Sequence, residues 1–151
     1  MARERTRSLR SRALSLLARR EHSRAELERK LAPHVQEGED AGAVLDELAA
    51  KGWLSDARFA EQVARAKAGR YGPLKVAHYL KSRGVGEESL AAGLRAAGDQ
   101  ASASLENVWR SHFRELPVND RDRARHVRFL QGRGFPLEDI LRFLKARSPH
   151  P

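Results

Sequence analysis

The sequence has no cysteine, one methionine, two tryptophans and two tyrosines in 151 residues, and aromatic residues make up 6% of it. Without cysteine, a disulfide framework, thiolate catalysis and cysteine-ligated zinc are excluded. No apolar run approaches the roughly 18 residues that span a bilayer. The opening segment Met1–Arg7 leads into no uninterrupted apolar stretch of the signal-peptide kind. Nowhere does a strand-like alternation persist. Gly52, Gly72, Gly84 and Gly134 fall at expected helix boundaries, not in a phosphate-cradling loop. The six histidines, at 22, 34, 78, 112, 126 and 150, give no pair at metal-ligand spacing on one helix face. Metal, thiol and nucleotide-loop chemistry therefore lack their residues. The expectation is a soluble cytoplasmic binding protein, not an enzyme, with no cofactor, metal or membrane segment.

What is present is charge. Twenty-nine Lys and Arg stand against 20 Asp and Glu, a net charge of +9, and only six of the bases are lysine. The charge is segregated. Residues 1–30 hold ten bases and four acids, 31–60 two and six, 61–100 seven and four, and 101–151 ten and six. A surplus of this kind predicts a polyanion or an acidic protein partner.

Apolar residues recur at helical spacing along the chain and predict nine helices. Leu9, Ala13, Leu14, Leu16 and Leu17 mark the first, about 6–20. Ser23-Arg24-Ala25-Glu26 reads as a capping box opening a second with Leu27 and Leu31. Val44, Leu45 and Leu48 mark a third that closes at Gly52. Ser55 or Asp56 caps a fourth with Phe59, Val63 and Ala66, and Pro73 starts a fifth with Val76 and Leu80, ending at Gly84. Leu90 and Leu94 belong to a sixth ending at Gly98. Leu105, Val108, Trp109, Phe113 and Leu116 make a seventh that Pro117 terminates. Asn119 or Asp120 caps an eighth with Val127 and Leu130. Pro136 opens a ninth with Leu137, Ile140, Leu141 and Leu144.

An internal repeat organises these helices. A shift of 50 places Tyr79-Leu80 on Phe129-Leu130, Arg83-Gly84-Val85 on Arg133-Gly134-Phe135, Glu88 on Glu138, Leu90 on Ile140 and Leu94 on Leu144. A shift of 49 places Val76 on Leu27 and Leu80 on Leu31. The shared pattern Arg-Gly-[Val/Phe]-x-x-Glu-x-[Leu/Ile]-x-x-x-Leu joins one helix stop to the next helix start. The fold expected is all-α: three tandem three-helix repeats, 6–52, 55–98 and 101–147. Each is too small to bury its apolar face alone, so the repeats should stack into an elongated, curved array.

Four segments also carry a family likeness. They are Ala18–Leu31; Val44–Leu48 with Gly52–Ala60; Arg65 through Arg70-Tyr71-Gly72-Pro73-Leu74-Lys75-Val76 to Leu80 and Arg83–Val85; and Arg128-Phe129-Leu130 with Arg133-Gly134-Phe135 and Ile140. Together they resemble the RecX family of bacterial recombination regulators over about residues 9–145. The resemblance implies a small protein of three-helix repeats that binds the RecA recombinase. Such a protein lodges in the groove of the RecA–DNA filament and dampens its ATPase, strand-exchange and co-protease activities, with no catalysis of its own. Two departures stand out: the longer acidic loop Gln36–Asp40, and Ser55 where the family commonly has Asp.

The candidate contact residues are basic. Arg121, Arg125 and Arg128 share the outward face of the eighth helix, whose N-terminal half would favour acids on dipole grounds. Lys75 and His78 of the fifth helix correspond to Arg125 and Arg128, and to Glu26 and Arg29 in the first repeat. Arg24 is counted with Arg29 on the basic face. Arg65, Lys67 and Arg70 cluster at the end of the fourth helix, with Tyr71 in the following turn, placed to stack on a base or a partner side chain or to staple its own helix. A face of this kind suits carboxylate or phosphate, since the guanidinium fork pairs with both. The partner expected is the RecA filament, with DNA met through it or directly, and the protein itself is read as a monomer. The alternative is a helical architectural protein that contacts DNA phosphates. Arg20, Arg83 and Arg133 are read instead as helix-end charges. Trp53, Trp109, Tyr79, Phe113, Phe129 and Phe143 are placed in the core, and His126, matching Val76 and Leu27, points inward.

Overall fold

In a computed structural model, residues 7–98 and 101–148 are described, with the side chains of 101–103 excepted. Among the described residues nine α-helices follow one another: α1 (Leu9–Arg19), α2 (Arg24–Leu31), α3 (Ala41–Ala50), α4 (Asp56–Lys67), α5 (Pro73–Ser82), α6 (Glu87–Ala97), α7 (Ala101–His112), α8 (Asp120–Gly132) and α9 (Leu137–Arg147). A 3₁₀ turn, Ala32–His34, leads into the acidic loop, and no strand occurs among the described residues. The fold is therefore all-α with the helix order of three tandem three-helix repeats. The start of the expected first helix at residue 6 lies outside the described residues.

Local chemistry sets the ends. Ser8, Ser23, Asp40 and Asn119 each accept the backbone N–H three residues on, satisfying a donor that the first helical turn leaves free. Ser55 does the same for Arg58 N and so caps α4. The capping box at Ser23 is only half made. Its hydroxyl accepts from Glu26 N at 3.1 Å, but Glu26 is buried and turns its carboxylate to Arg20 Nη1, 2.8 Å away. Glu26 is thus not on the outward face where the repeat register puts it. Helix α7 ends at His112, earlier than Pro117, because Phe113 folds back into the core and stacks on His126 with ring centroids 3.7 Å apart.

Packing divides the chain into two units. One comprises the residues up to Gln62 together with Leu80–Ala96; the other comprises Val63–Tyr79 with the residues from Ala97 onward. The division runs through the second repeat. In the first unit Leu9, Ala13, Leu27, Leu31, Leu45, Leu48 and Leu54 form one buried cluster. In the second, Leu105, Val108, Trp109, Phe113, Leu130, Phe135, Ile140, Phe143 and Leu144 form another. The first and third repeats each contribute an apolar cluster.

Residues equated by the repeat occupy like environments. Leu31, Leu80 and Leu130 are fully buried, and Leu27, Val76 and His126 are 0, 4 and 1% exposed. Inside each unit the same joint recurs. In the first, Ser23 Oγ donates to Arg83 O at 2.7 Å, and a Cβ on Gly84 would lie 2.5 Å from Ala25 Cβ. In the second, Gly72 N donates to Arg133 O at 2.7 Å and Leu74 N to Gly134 O at 2.9 Å. There a Cβ on Gly134, whose φ is +97°, would lie 2.4 Å from Lys75 Cβ. The Arg-Gly pair of the repeated motif is therefore a helix stop that also admits a neighbouring helix start.

Two sequence expectations about the core are corrected. Ala66 is exposed, and α4 buries Phe59, Ala60 and Ala64 instead. Trp53 is 45% exposed. It follows the Gly52 turn, where Leu54 takes the buried position, and its ring lies beside Arg10 and Lys51.

Candidate partner-binding site

The second unit gathers bases around aromatic rings. Helix α4 ends at Lys67, and Arg70 N and Tyr71 N both donate to Lys67 O at 3.0 Å, which turns the chain sharply. The next residue, Gly72, is fastened to Arg133 O, so Tyr71 is fixed from both sides. Its ring has Lys67 Nζ at 5.4 Å, Lys75 Nζ at 5.1 Å and Arg133 Cζ at 5.9 Å from the centroid. Lys67 also lies 4.4 Å from the Tyr79 ring, and Arg133 5.3 Å from that of Phe129. These are cation–π distances. Lys75 is anchored further, Nζ donating to Gly132 O at 3.3 Å.

None of Lys67, Arg70, Lys75 and Arg133 has a carboxylate within ion-pair distance among the described residues. Many other bases do. Arg10 and Lys51 share Glu47, Arg58 meets Glu21, Arg142 meets Glu138 and Asp139, and Arg147 meets Glu106. The Tyr71 cluster therefore concentrates positive charge that no internal acid offsets. Chemically it can receive carboxylate or phosphate oxygens and offer a ring edge or face beside them.

The remaining expected residues divide. Arg121, Arg125 and Arg128 are exposed on α8, as the helical phase requires. Arg125 is already engaged: Nη2 donates to Asp122 Oδ1 at 2.6 Å and the guanidinium lies over Phe113 at 5.5 Å. That hydrogen bond, with another from Val118 N, holds the Asp122 carboxyl below the usual range. The unfavourable Arg at the start of α8 is offset by Asp120 and Asp122 in its first turn. Arg65 is exposed near the end of α4. In the first unit, Arg29 is exposed on α2, whereas Arg24 is half-buried and used internally. Its Nη2 sits 2.6 Å from Asp46 Oδ1 and 3.3 Å from Gly42 O, and its backbone N donates to Asp56 Oδ1 at 2.7 Å.

Arg133 has a second role beyond the helix-end charge expected of it. It is indeed the C-cap of α8, but it also faces Tyr71 and Phe129. The signal lay in the repeat, since Arg83 and Arg133 are equivalent and the turn that meets Arg133 carries Tyr71 where the turn that meets Arg83 carries His22. In the same unit the exposed His112 stacks on Phe129 at 4.0 Å, and Trp109 Nε1 donates to the buried His126 Nδ1 at 3.0 Å. Burial pushes the His126 imidazole below its ordinary value. Among the described residues no three His, Asp or Glu side chains gather as a metal site would need, and no helix is long and apolar enough to cross a membrane.

Comparison with known proteins gives the geometry its context. The model of the first three-helix domain of RecX matches residues 10–48, and that of the second matches residues 55–94. The chain is 42% identical to the regulatory protein RecX of Chromobacterium violaceum over 137 residues, 91% of this chain and 89% of that one. It is 43% identical to that of Ralstonia nicotianae over 141 residues, 92% and 87% of the two chains. The crystal structure of RecX from Lactobacillus salivarius shares the fold, with a TM-score of 0.74 at 17% identity, covering 91% of this chain and 95% of that one. Sequence and fold together place this chain in the RecX family of regulatory proteins.

Proposed function

We propose that this protein is a non-enzymatic regulator that binds the RecA–DNA filament and restrains its ATPase, strand-exchange and co-protease activities. The binding surface is basic, with Lys67, Arg70, Tyr71, Lys75 and Arg133 at its centre and Arg121, Arg125 and Arg128 beside them in the same unit. Arg65 belongs to it as an outlying contact, and Arg29 is a separate contact carried by the first unit. Arg24 contributes through the fold of the first unit, given its bonds to Asp46 and Asp56. The observation that carries this reading is the set of bases around Tyr71 with no carboxylate partner, in a chain of the RecX family. Uncompensated charge held in fixed geometry suits binding, because the partner's acids need displace no internal ones. We read the three repeats, 6–52, 55–98 and 101–147, as sequence modules that do not fold separately, the second being divided between the two packing units.

The test is DNA-dependent ATP hydrolysis by RecA with this protein added at stoichiometric amounts. Hydrolysis should fall; unchanged hydrolysis contradicts the reading. A second reading, direct contact with DNA phosphates, is favoured by the tyrosine set among free cations, a pattern that also suits single-stranded nucleic acid. It predicts binding to DNA without RecA, with a log K against log salt slope of several units.

A further inference from the structure

The first unit carries an aromatic anchor that the basic face does not include. Three helix ends in the described residues close with the same backbone bond, from the residue after a positive-φ glycine back to a carbonyl five residues earlier. These are Trp53 N to Leu48 O at 2.9 Å, Val85 N to Leu80 O at 3.1 Å, and Phe135 N to Leu130 O at 3.2 Å. Such a turn ordinarily packs its last residue back on the helix. Val85 and Phe135 obey, at 4 and 2% exposed, whereas Trp53 stays 45% exposed. The turn geometry thus leaves the largest side chain of the sequence in solvent where its equivalents are buried.

Trp53 is nonetheless held. Arg10 Cζ lies 5.6 Å and Lys51 Nζ 5.2 Å from its ring. Both cations converge on one oxygen, Glu47 Oε1, at 3.0 Å each. Arg10 meets Glu47 through Nε and its side chain is 42% exposed, which leaves guanidinium N–H groups for a partner's carboxylate. An ordered indole ringed by charges at its rim is the arrangement of an interface hot spot, in which the ring is desolvated and the rim excludes water.

The surrounding charge selects the class of partner. Asp46 and Glu47 sit on the same helix, and Asp46 is 73% exposed at its side chain, so a run of phosphates would meet two carboxylates. Phe59, the other Phe, Tyr or Trp of this unit, is 2% exposed, so no second ring continues a base-stacking track. We propose that Trp53, with Arg10 and Lys51, is a second anchor for the protein part of the filament. It accepts a surface that offers an apolar side chain to the indole and a carboxylate to the guanidinium of Arg10. This rests on the filament reading above and adds a contact in the other unit of the chain.

The experiment measures equilibrium binding of the full-length protein to RecA assembled on single-stranded DNA, for wild type, Trp53→Ala, Trp53→Phe and Arg10→Gln, with unfolding midpoints alongside. Trp53→Ala should weaken binding about tenfold with an unchanged midpoint, Trp53→Phe should restore most of the loss, and Arg10→Gln should weaken binding several-fold. Failure of the wild type to bind would overturn the filament reading itself. Wild-type binding with equal binding by Trp53→Ala overturns only the Trp53 anchor. If Trp53→Ala loses the same factor on single-stranded DNA without RecA, the ring serves nucleic acid and the protein assignment is wrong. If Trp53→Ala loses affinity only in step with its midpoint while Arg10→Gln binds normally, Trp53 is structural and the anchor is again overturned.

Discussion

At Gly134 a single missing Cβ lets the start of α5 close on the end of α8. The residue has φ +97°, and a methyl there would meet Lys75 N at 2.6 Å. Gly98 has φ +82° with nothing within 4 Å. Gly98→Ala should therefore cost only the left-handed conformation, about 1–2 kcal/mol. Gly134→Ala adds a backbone collision of about 1–3 kcal/mol, and urea unfolding of the two variants measures the difference. The buried histidines give a second consequence. Trp109 can only donate, so His126 Nδ1 is unprotonated; Lys30 Nζ likewise fixes His22 Nε2, 3.0 Å away, as an acceptor. Burial, foremost, lowers both pKa values in the fold. The unfolded imidazoles titrate near 6.5, so below that pH the unfolded chain holds more protons and stability falls with pH. The thermal midpoint should decline as pH drops from about 7 through 6.5 towards 5. A midpoint that is flat or rises over that window contradicts neutral, hydrogen-bonded imidazoles.

Among the helices, α8 separates structure from binding most cleanly. Its buried face is His126 and Leu130, its exposed face Arg121, Arg125 and Arg128. Leu130→Ala should cost about 2–5 kcal/mol, as a fully buried leucine does, visible in the unfolding midpoint. Reversing charge at Arg121 and Arg128 should leave the helical circular-dichroism signal and midpoint nearly unchanged while weakening filament binding. Arg125 should also lose some stability through Asp122 and Phe113. This phase was legible in the sequence, because helical periodicity and the Leu-Gly stops repeat at 50 residues. Helix starts were legible for the same local reason: a short polar side chain meets a free N–H. Trp53 was not. Its apolar character pointed inward, and only the neighbouring Leu54 and the cations of α1 and the α3 terminus show why it stays out. Arg133 was read as an end charge because its second role depends on a backbone joint 61 residues away in sequence, which periodicity does not encode.

For the chain as a whole, net charge is a poor guide to the binding surface. The structure separates bases that fasten helices, such as Arg24, Arg58 and Arg147, from the set around Tyr71, where Lys67, Lys75 and Arg133 have no acid within ion-pair distance among the described residues. The acids of the loop Gln36–Asp40 and of α3 are partly spent on caps and ion pairs: Glu39 accepts from Gln36 N, Asp40 caps α3, and Glu47 holds Arg10 and Lys51. The surplus of +9 thus includes a small set of cations oriented around Tyr71 beside others that are spent on fastening helices. The most direct test is the affinity of Lys67→Glu/Lys75→Glu for RecA assembled on single-stranded DNA, beside wild type, with unfolding midpoints measured in parallel. The account predicts a loss of about tenfold or more, equivalent to about 1.4 kcal/mol, with the midpoint held. Wild-type affinity in the double variant would contradict it.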